Sequence, residues 1–213
     1  EAGLEPLLDQ LLADANQVPR VLASGYVDAE KGFADVESVL DGARQIFMER
    51  VAEEADLVGR LRDYLWSNGW MASTVAEGMA ESGAKFADYF DYQERLAQIP
   101  SHRALALFRG RTESILRVKV RVDGQDDLAA PHLLGGCDLL IADHYGIAQR
   151  QRPADSWLLE SVRWAWRIKV AMQLETEVML KIREQAELEA IRVFGDNLRD
   201  LLFGFRSRAA YRC

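Results

Sequence analysis

The sequence predicts a mainly α fold, a multi-helix assembly with one small antiparallel β-hairpin or sheet. Apolar residues recur at three- and four-residue steps through much of the chain, which is typical of amphipathic helices. Residues 156–203 contain no proline and a single glycine, so long helices are expected over about 155–203. Alternation of apolar and charged residues is clearest over 114–122, which indicates a strand.

The N-terminal third of the chain is predicted to be helical. Residues 4–25 favour two short helices separated near Pro19, and Gly25 is expected to end the second. From about residue 35 to 67 the apolar positions predict further helix with an acidic opposite face. A break near residues 54–56 splits this region into two helices.

The middle of the chain supplies the predicted β element. Residues 70–76 and 114–122 are the two strands, and antiparallel pairing between them is the obvious arrangement. A lone hairpin is marginal in water, so it must pack on helices. Between the strands, residues 85–96 favour a helix, and Ser101 is expected to cap another that ends at Gly110. Later, residues 137–144 favour a short helix, and Asp155 is the expected N-cap of the final helical region.

Charge and cysteine content restrict the classes of function. The chain has 213 residues and a net charge of −8, so as a whole it is not an electrostatic binder of nucleic acid or acidic membranes. No stretch approaches the roughly 20 apolar residues of a transmembrane helix. Two distant cysteines, Cys137 and Cys213, suit neither a disulfide framework nor a zinc site. We therefore expect a cytoplasmic protein without a membrane partner.

Motifs of catalysis are missing from the sequence. It has no Walker A loop, dinucleotide-binding glycine motif, HExxH zinc motif or GxSxG nucleophile elbow. His102, His132 and His144 are scattered, and the acid pairs at 53–54 and 126–127 are typical of a charged surface. The sequence therefore predicts no enzyme, no metal and no cofactor.

One segment is cationic against the acidic background. Residues 101–123 hold six cations against two acids, Glu113 and Asp123; the cations are Arg103, Arg109, Arg111, Arg117, Lys119 and Arg121. On a strand the last three share one face at steps of about 7 Å, which is comparable to the repeat of a nucleic-acid backbone. Phosphate contact is one interpretation of all six residues. The other is that they pair with the acids of residues 35–63.

A second segment interleaves aromatic and cationic residues. Its members are Trp157, Arg163, Trp164, Trp166, Arg167 and Lys169. Such a mixture can stack nucleic-acid bases. Because Trp157 and Trp164 fall on one helical face, core packing is the favoured interpretation.

Several motifs occur in one order along the chain, among them Pro100-Ser101-His102-Arg103. These motifs lie at residues 28–36, 83–90, 100–106, 109–111, 154–158, 162–166, 174–177, 190–194 and 197–202. Together they resemble the bacterial transcription accessory protein family, Tex. The resemblance covers about residues 1–203 and predicts a Tex-type N-terminal helical region there, followed by a divergent tail over 204–213.

The resemblance implies an RNA- and DNA-binding factor linked to transcription. It implies that this chain precedes an RNase H-like domain regarded as non-catalytic, and that helix-hairpin-helix and S1 domains outside the chain bind most of the nucleic acid. The sequence opens at Glu1 without Met, and its last residues, 206–213, match no periodic pattern, which together favour a segment truncated at both ends.

The predicted function is a non-catalytic helical scaffold segment of a nucleic-acid-binding transcription accessory protein. Its expected partners are RNA or DNA, and transcription machinery. The alternative is a protein-interaction module. In that case the long terminal helices, and the acidic face of residues 35–63, would dock transcription or translation machinery.

Overall fold

The computed structural model describes residues 3–122 and 134–210, and for residues 203–210 it describes the backbone alone. Within these ranges the chain is mainly α-helical with a three-stranded antiparallel sheet, which confirms the predicted fold class. The helices are α1 (Glu5–Ala13), α2 (Pro19–Ser24), α3 (Val36–Glu53), α4 (Ala55–Asn68), α5 (Ser101–Thr112), α6 (Gly136–His144), α7 (Asp155–Trp164) and α8 (Ala171–Ala210). The strands are β1 (Trp70–Val75), β2 (Asp91–Arg95) and β3 (Leu116–Arg121).

The chain divides into two compact units. The first contains Glu1–Asn68 and Val122–Leu174, and the second contains Gly69–Arg121 and Glu175–Cys213. Helix α8 therefore contributes its first turn to the first unit and the rest of its length to the second. Each unit has its own set of buried apolar residues.

The first unit is an all-helical assembly. Its core includes Leu7 and Leu11 of α1 and Phe47 of α3, all fully buried. Helix α3 begins with a capping box, in which the Asp35 carboxylate accepts from the Ser38 N–H at 2.8 Å and the Asp35 N–H donates to the Ser38 hydroxyl at 3.2 Å. Extended backbone at Glu54 separates α3 from α4, as the sequence predicts. Helix α7 continues through the π-helical segment Ala165–Val170 into α8.

The second unit is built on the sheet, whose strand order is β2-β1-β3. Strands β1 and β3 occupy the predicted strand segments and pair antiparallel, so β1 is the central strand. One face of the sheet is apolar, because Met71, Leu116 and Val118 on it are buried. Helix α5 packs against β3 so closely that a Cβ on Gly110 would come within 2.5 Å of Leu116 Cδ1.

The helix predicted over residues 85–96 is wrong. This region is a 3₁₀ segment, Ala84–Tyr89, followed by β2. Phe86 has non-helical dihedral angles of φ −109° and ψ 17°, so the helical pattern is interrupted at its start. Residues Asp91–Arg95 then pair with the free edge of β1. Tertiary strand pairing therefore overrides the local helical preference.

Two predicted helix boundaries are also wrong. Pro100, not Ser101, is the N-cap of α5, and α5 runs past Gly110 to Thr112. Asp155 lies inside α7, where its carboxylate accepts from the Arg150 and Arg152 N–H groups at 2.7 and 3.0 Å. Burial opposes the ionised form, but these hydrogen bonds hold the pKa of Asp155 below its ordinary value. Asp155 therefore fastens the preceding loop and does not cap the helix.

Several predicted features lie outside the described residues. They include His132, the acid pair at 126–127 and Cys213. Among the helices that the structure does describe, none has an apolar stretch that would cross a membrane.

Candidate nucleic-acid interface

One face of the sheet collects cationic side chains. Residues paired across antiparallel strands project to the same side of the sheet, so the register defines this face. Its three rows are Arg95–Trp70–Arg121, Gln93–Ala72–Lys119 and Asp91–Thr74–Arg117. We call these nine residues the cationic sheet face. Four of the nine are cationic and one, Asp91, is anionic, so the face is positive on a chain that is negative overall.

The cations along β3 are accessible. Arg117 and Lys119 are exposed, and Arg121 is partly buried. Among the residues that the structure describes, no carboxylate lies within 4.0 Å of Arg117 or Lys119. With residues 72–74 of β1, the three cations line a shallow pocket of about 120 Å³. An anion that enters this pocket meets the charges of Arg117 and Lys119, which no ion pair with a described residue has already neutralised.

Strand β3 is held firmly on its other sides. Leu116 and Val118 anchor its apolar face in the core of the second unit. At its outer edge the Val120 N–H donates to the Glu175 carboxylate of α8 at 3.0 Å. Just before the strand, the Ile115 N–H donates to the Gly110 carbonyl at 2.9 Å. The spacing of the cations is therefore set by a supported strand and not by a loop.

The structure places Arg103 away from this face. It lies on α5, where Arg103 Nη1 donates to the Glu94 carboxylate at 3.2 Å. The Tyr92 hydroxyl donates to the same carboxylate. Burial, together with the hydrogen bond to Glu94, raises the pKa of Tyr92 to about 12, so the hydroxyl keeps its proton at neutral pH. Arg103 thus belongs to a local hydrogen-bonded network.

Arg109 and Arg111 also lie on α5 and not on the cationic sheet face. Arg109 Nε donates to the Glu113 carboxylate at 3.0 Å, one turn further along the helix. Arg111 Nη1 lies 2.8 Å from Met179 Sδ and lines a separate pocket of about 360 Å³ with Arg183 of α8. The six predicted contact residues therefore divide between the sheet and α5. The partners found for Arg103 and Arg109 are not the acids of residues 35–63 that the alternative interpretation names.

The tryptophan-rich segment over residues 157–169 contributes mainly to the core of the first unit. Trp157 and Trp166 are buried, whereas Trp164 is 41% exposed. The Arg44 guanidinium lies over the rings of Trp157 and Trp164, with its carbon 5.8 and 4.7 Å from the two centroids. Core packing is therefore the better interpretation of these tryptophans.

Comparison with known proteins shows the family to which this chain belongs. A family model described as Tex central region-like matches residues 14–194. This chain belongs to the Tex family. It is 54% identical over 202 residues to Protein YhgF of Escherichia coli strain K12 and 44% identical over 207 residues to Protein tex of Bordetella pertussis. It is 39% identical over 202 residues to the Transcriptional accessory protein Tex of Neisseria gonorrhoeae.

The Tex relatives are much longer than this chain. Each of these three matches covers 95% of the chain and 26% of the relative, so the chain spans about a quarter of their length. The stretch matched by the Tex family model includes all three strands of the sheet. The cationic sheet face therefore lies wholly within the family region.

Sequence reasoning missed two residues of this Tex surface, Trp70 and Arg95. The helix prediction over residues 85–96 removed β2 from the sheet, and the partner of Trp70 was lost with it. The only local signal was Tyr92, because the other four residues of β2 are polar or charged. That signal is weak, since neither side of β2 is strongly apolar.

Metal binding has no support in the described part of this Tex chain. No three histidine, cysteine, aspartate or glutamate side chains among the described residues converge as metal ligands would. His102 lies in the second unit and His144 in the first. Within the described ranges, the structure therefore gathers cations on the sheet and forms no cluster of metal-ligating side chains.

Proposed function

We propose that this chain is a non-catalytic helical scaffold segment of a transcription accessory protein, and that its cationic sheet face contacts phosphates of RNA or DNA. The observation that carries the proposal is the row Arg117, Lys119 and Arg121 on a supported strand. The name of the Neisseria gonorrhoeae relative, Transcriptional accessory protein Tex, supports the link to transcription. A cytoplasmic setting, with transcription machinery as partner, is part of the same proposal.

The spacing of the row suits a phosphate backbone. Alternate residues of a strand stand about 7 Å apart, so three cations can meet successive phosphates of an extended strand. Each phosphate that a cation neutralises releases condensed counterions, and this release makes the affinity depend on salt. The net charge of −8 opposes long-range attraction, so the binding free energy must come from the local face.

A salt titration of the chain on single-stranded RNA and on duplex DNA tests the proposal. The triple variant Arg117→Ala, Lys119→Ala and Arg121→Ala removes the row. If all three contact phosphates, the slope of log affinity against log salt becomes shallower by about 2 to 3. The affinity itself falls at every salt concentration.

A matched triple variant controls for the change in net charge. Arg20, Lys31 and Arg60 lie in the first unit, with side chains 70, 68 and 50% exposed. Their replacement by alanine changes the net charge by the same amount and is expected to leave the slope almost unchanged. Equal effects of the two triple variants, or no effect of either, would show that the row does not contact phosphate.

A second candidate function is protein docking through α8. Large apolar side chains are exposed along one side of this helix, with Leu188 and Ile191 each 68% exposed and Phe194 69% exposed. Exposed apolar stripes of this kind often mark protein-interaction sites. Under this candidate, the chain retains identified polymerase or ribosomal proteins in a pull-down. Ile191→Glu with Phe194→Glu abolishes that retention, whereas the triple variant on β3 keeps it.

A further inference from the structure

We infer that the cationic sheet face holds a base-stacking position at Trp70 and Arg95, which makes single-stranded RNA or DNA its ligand in preference to duplex. This inference rests on the proposed phosphate contact by β3. It adds a second kind of contact, to the flat face of a base, on the two neighbouring strands.

Trp70 and Arg95 contact each other on the cationic sheet face, with the guanidinium over the indole ring. They are directly paired across β1 and β2, and the Arg95 guanidinium carbon lies 4.4 Å from the centroid of the Trp70 ring. Both residues are only partly buried. A planar guanidinium that stacks on an indole ring extends the ring, and bases stack on both kinds of plane.

Trp70 and Arg95 lie to one side of β3, where the bases of a strand bound along β3 would extend. Neighbouring strands are about 4.8 Å apart. If phosphates lie along β3, Trp70 is one strand away from them and Arg95 is two. Gln93 is exposed beside Arg95 and carries an amide that can donate to or accept from a base edge.

The charges near Trp70 and Arg95 indicate that the role of this pair is not limited to stabilising the fold. Within the ranges that the structure describes, no carboxylate lies within 4.0 Å of Arg95. Arg95 shares its row with Arg121, so the pair adds to the cationic excess and does not neutralise an acid. In a duplex the bases are already stacked on each other, so this surface would gain only phosphate contacts.

The test compares oligomers with and without bases, and single strands with a duplex. Fluorescence anisotropy measures binding of the 213-residue chain to a 12-mer of uridine, a 12-mer of thymidine, an abasic 12-mer phosphodiester and a 12-base-pair duplex. The single strands with bases are expected to bind about tenfold more tightly than the abasic strand, because stacking strengthens binding by that order per base. Tighter binding of either base-bearing strand than of the abasic strand supports base stacking.

Two substitutions assign the effect to the stack. Trp70→Leu is expected to bring the uridine and thymidine strands to within about twofold of the abasic strand, and to leave abasic binding unchanged. Trp70→Phe, which keeps an aromatic ring, retains most of the preference. Arg95→Lys keeps the positive charge but removes the planar guanidinium. The affinity for the base-bearing strands is therefore expected to fall about threefold, and the affinity for the abasic strand to stay unchanged.

The outcomes separate this inference from the proposed function. Equal binding of abasic and base-bearing strands by the unchanged chain would overturn base stacking and leave phosphate contact standing. A loss of abasic binding in Trp70→Leu, equal to the loss on the other strands, would show that Trp70 only supports the sheet. Failure of every oligomer to bind would overturn both proposals.

Discussion

Two arginine–tryptophan stacks in the described part of this chain have similar distances and different surroundings. In the first unit, Arg44 lies 4.7 Å from the centroid of Trp164, is 8% exposed, and pairs with Asp41 and Glu160 at 3.2 and 3.0 Å. In the second unit, Arg95 lies 4.4 Å from the centroid of Trp70. Its row on the sheet contributes another cation and no acid.

The difference shows that an arginine–tryptophan stack does not by itself indicate function. Around Arg44, the two carboxylates and the hydroxyl of Ser161 use its donors, so the side chain joins α3 to α7. Around Arg95, the positive charge lies on the same accessible sheet face as two exposed cations of β3. Charge balance and exposure distinguish a structural stack from a candidate binding stack.

The largest expected effect is the loss of Arg44. Arg44→Ala removes two ion pairs and the packing of the side-chain stem on Trp157 and Trp164. We expect the free energy of unfolding to fall by about 2–3 kcal/mol, less than for a fully buried pair because both carboxylates reach solvent. Urea denaturation measures this change, and oligomer binding by the folded variant should equal that of the unchanged chain.

Arg95→Ala is the matched comparison for that prediction. Because Arg95 is more exposed than Arg44 and has no ion pair with a described residue, its loss should cost less than about 1 kcal/mol of stability. If the two variants destabilise the chain equally, the proposed division between a structural stack and a binding stack is wrong.

Another substitution tests the support of the cationic sheet face. Gly110→Ala places a methyl group within 2.5 Å of Leu116 Cδ1, at the point where α5 packs on β3. Overpacking of this kind costs about 1–3 kcal/mol, and thermal denaturation should show the loss. The control is Gly59→Ala in α4, where no atom lies within 4 Å of an added Cβ. That substitution should stabilise the helix by about 0.5–1 kcal/mol, and a similar result for both variants would contradict the packing described here.

The spacing of apolar residues is sufficient to predict the long helices, because their buried positions recur regularly over many residues. The break at Glu54 and the long C-terminal helices follow from such patterns. β2 could not be predicted in this way, because its five residues are polar on both sides and pair with β1 through the backbone. A short edge strand of this type depends on its tertiary partner and has little local signal.

The candidate site could be predicted from the sequence only in part, because it combines one regular strand with residues of neighbouring strands. Alternation along 114–122 indicated that Arg117, Lys119 and Arg121 share a face, and the register shows that they do. Sequence proximity alone groups the three arginines of α5 with them. Their separation, and the addition of Trp70 and Arg95, required knowledge of which strands are neighbours.

Photocrosslinking tests the central claim most directly, because it locates the contact as well as detecting it. A single-stranded RNA that contains 4-thiouridine is irradiated with the chain, and the adducts are mapped by mass spectrometry. The cationic sheet face predicts adducts on peptides that contain Trp70, residues 91–95 and residues 117–121. Adducts confined to Trp164 and its neighbours, with none on the sheet, would contradict the account.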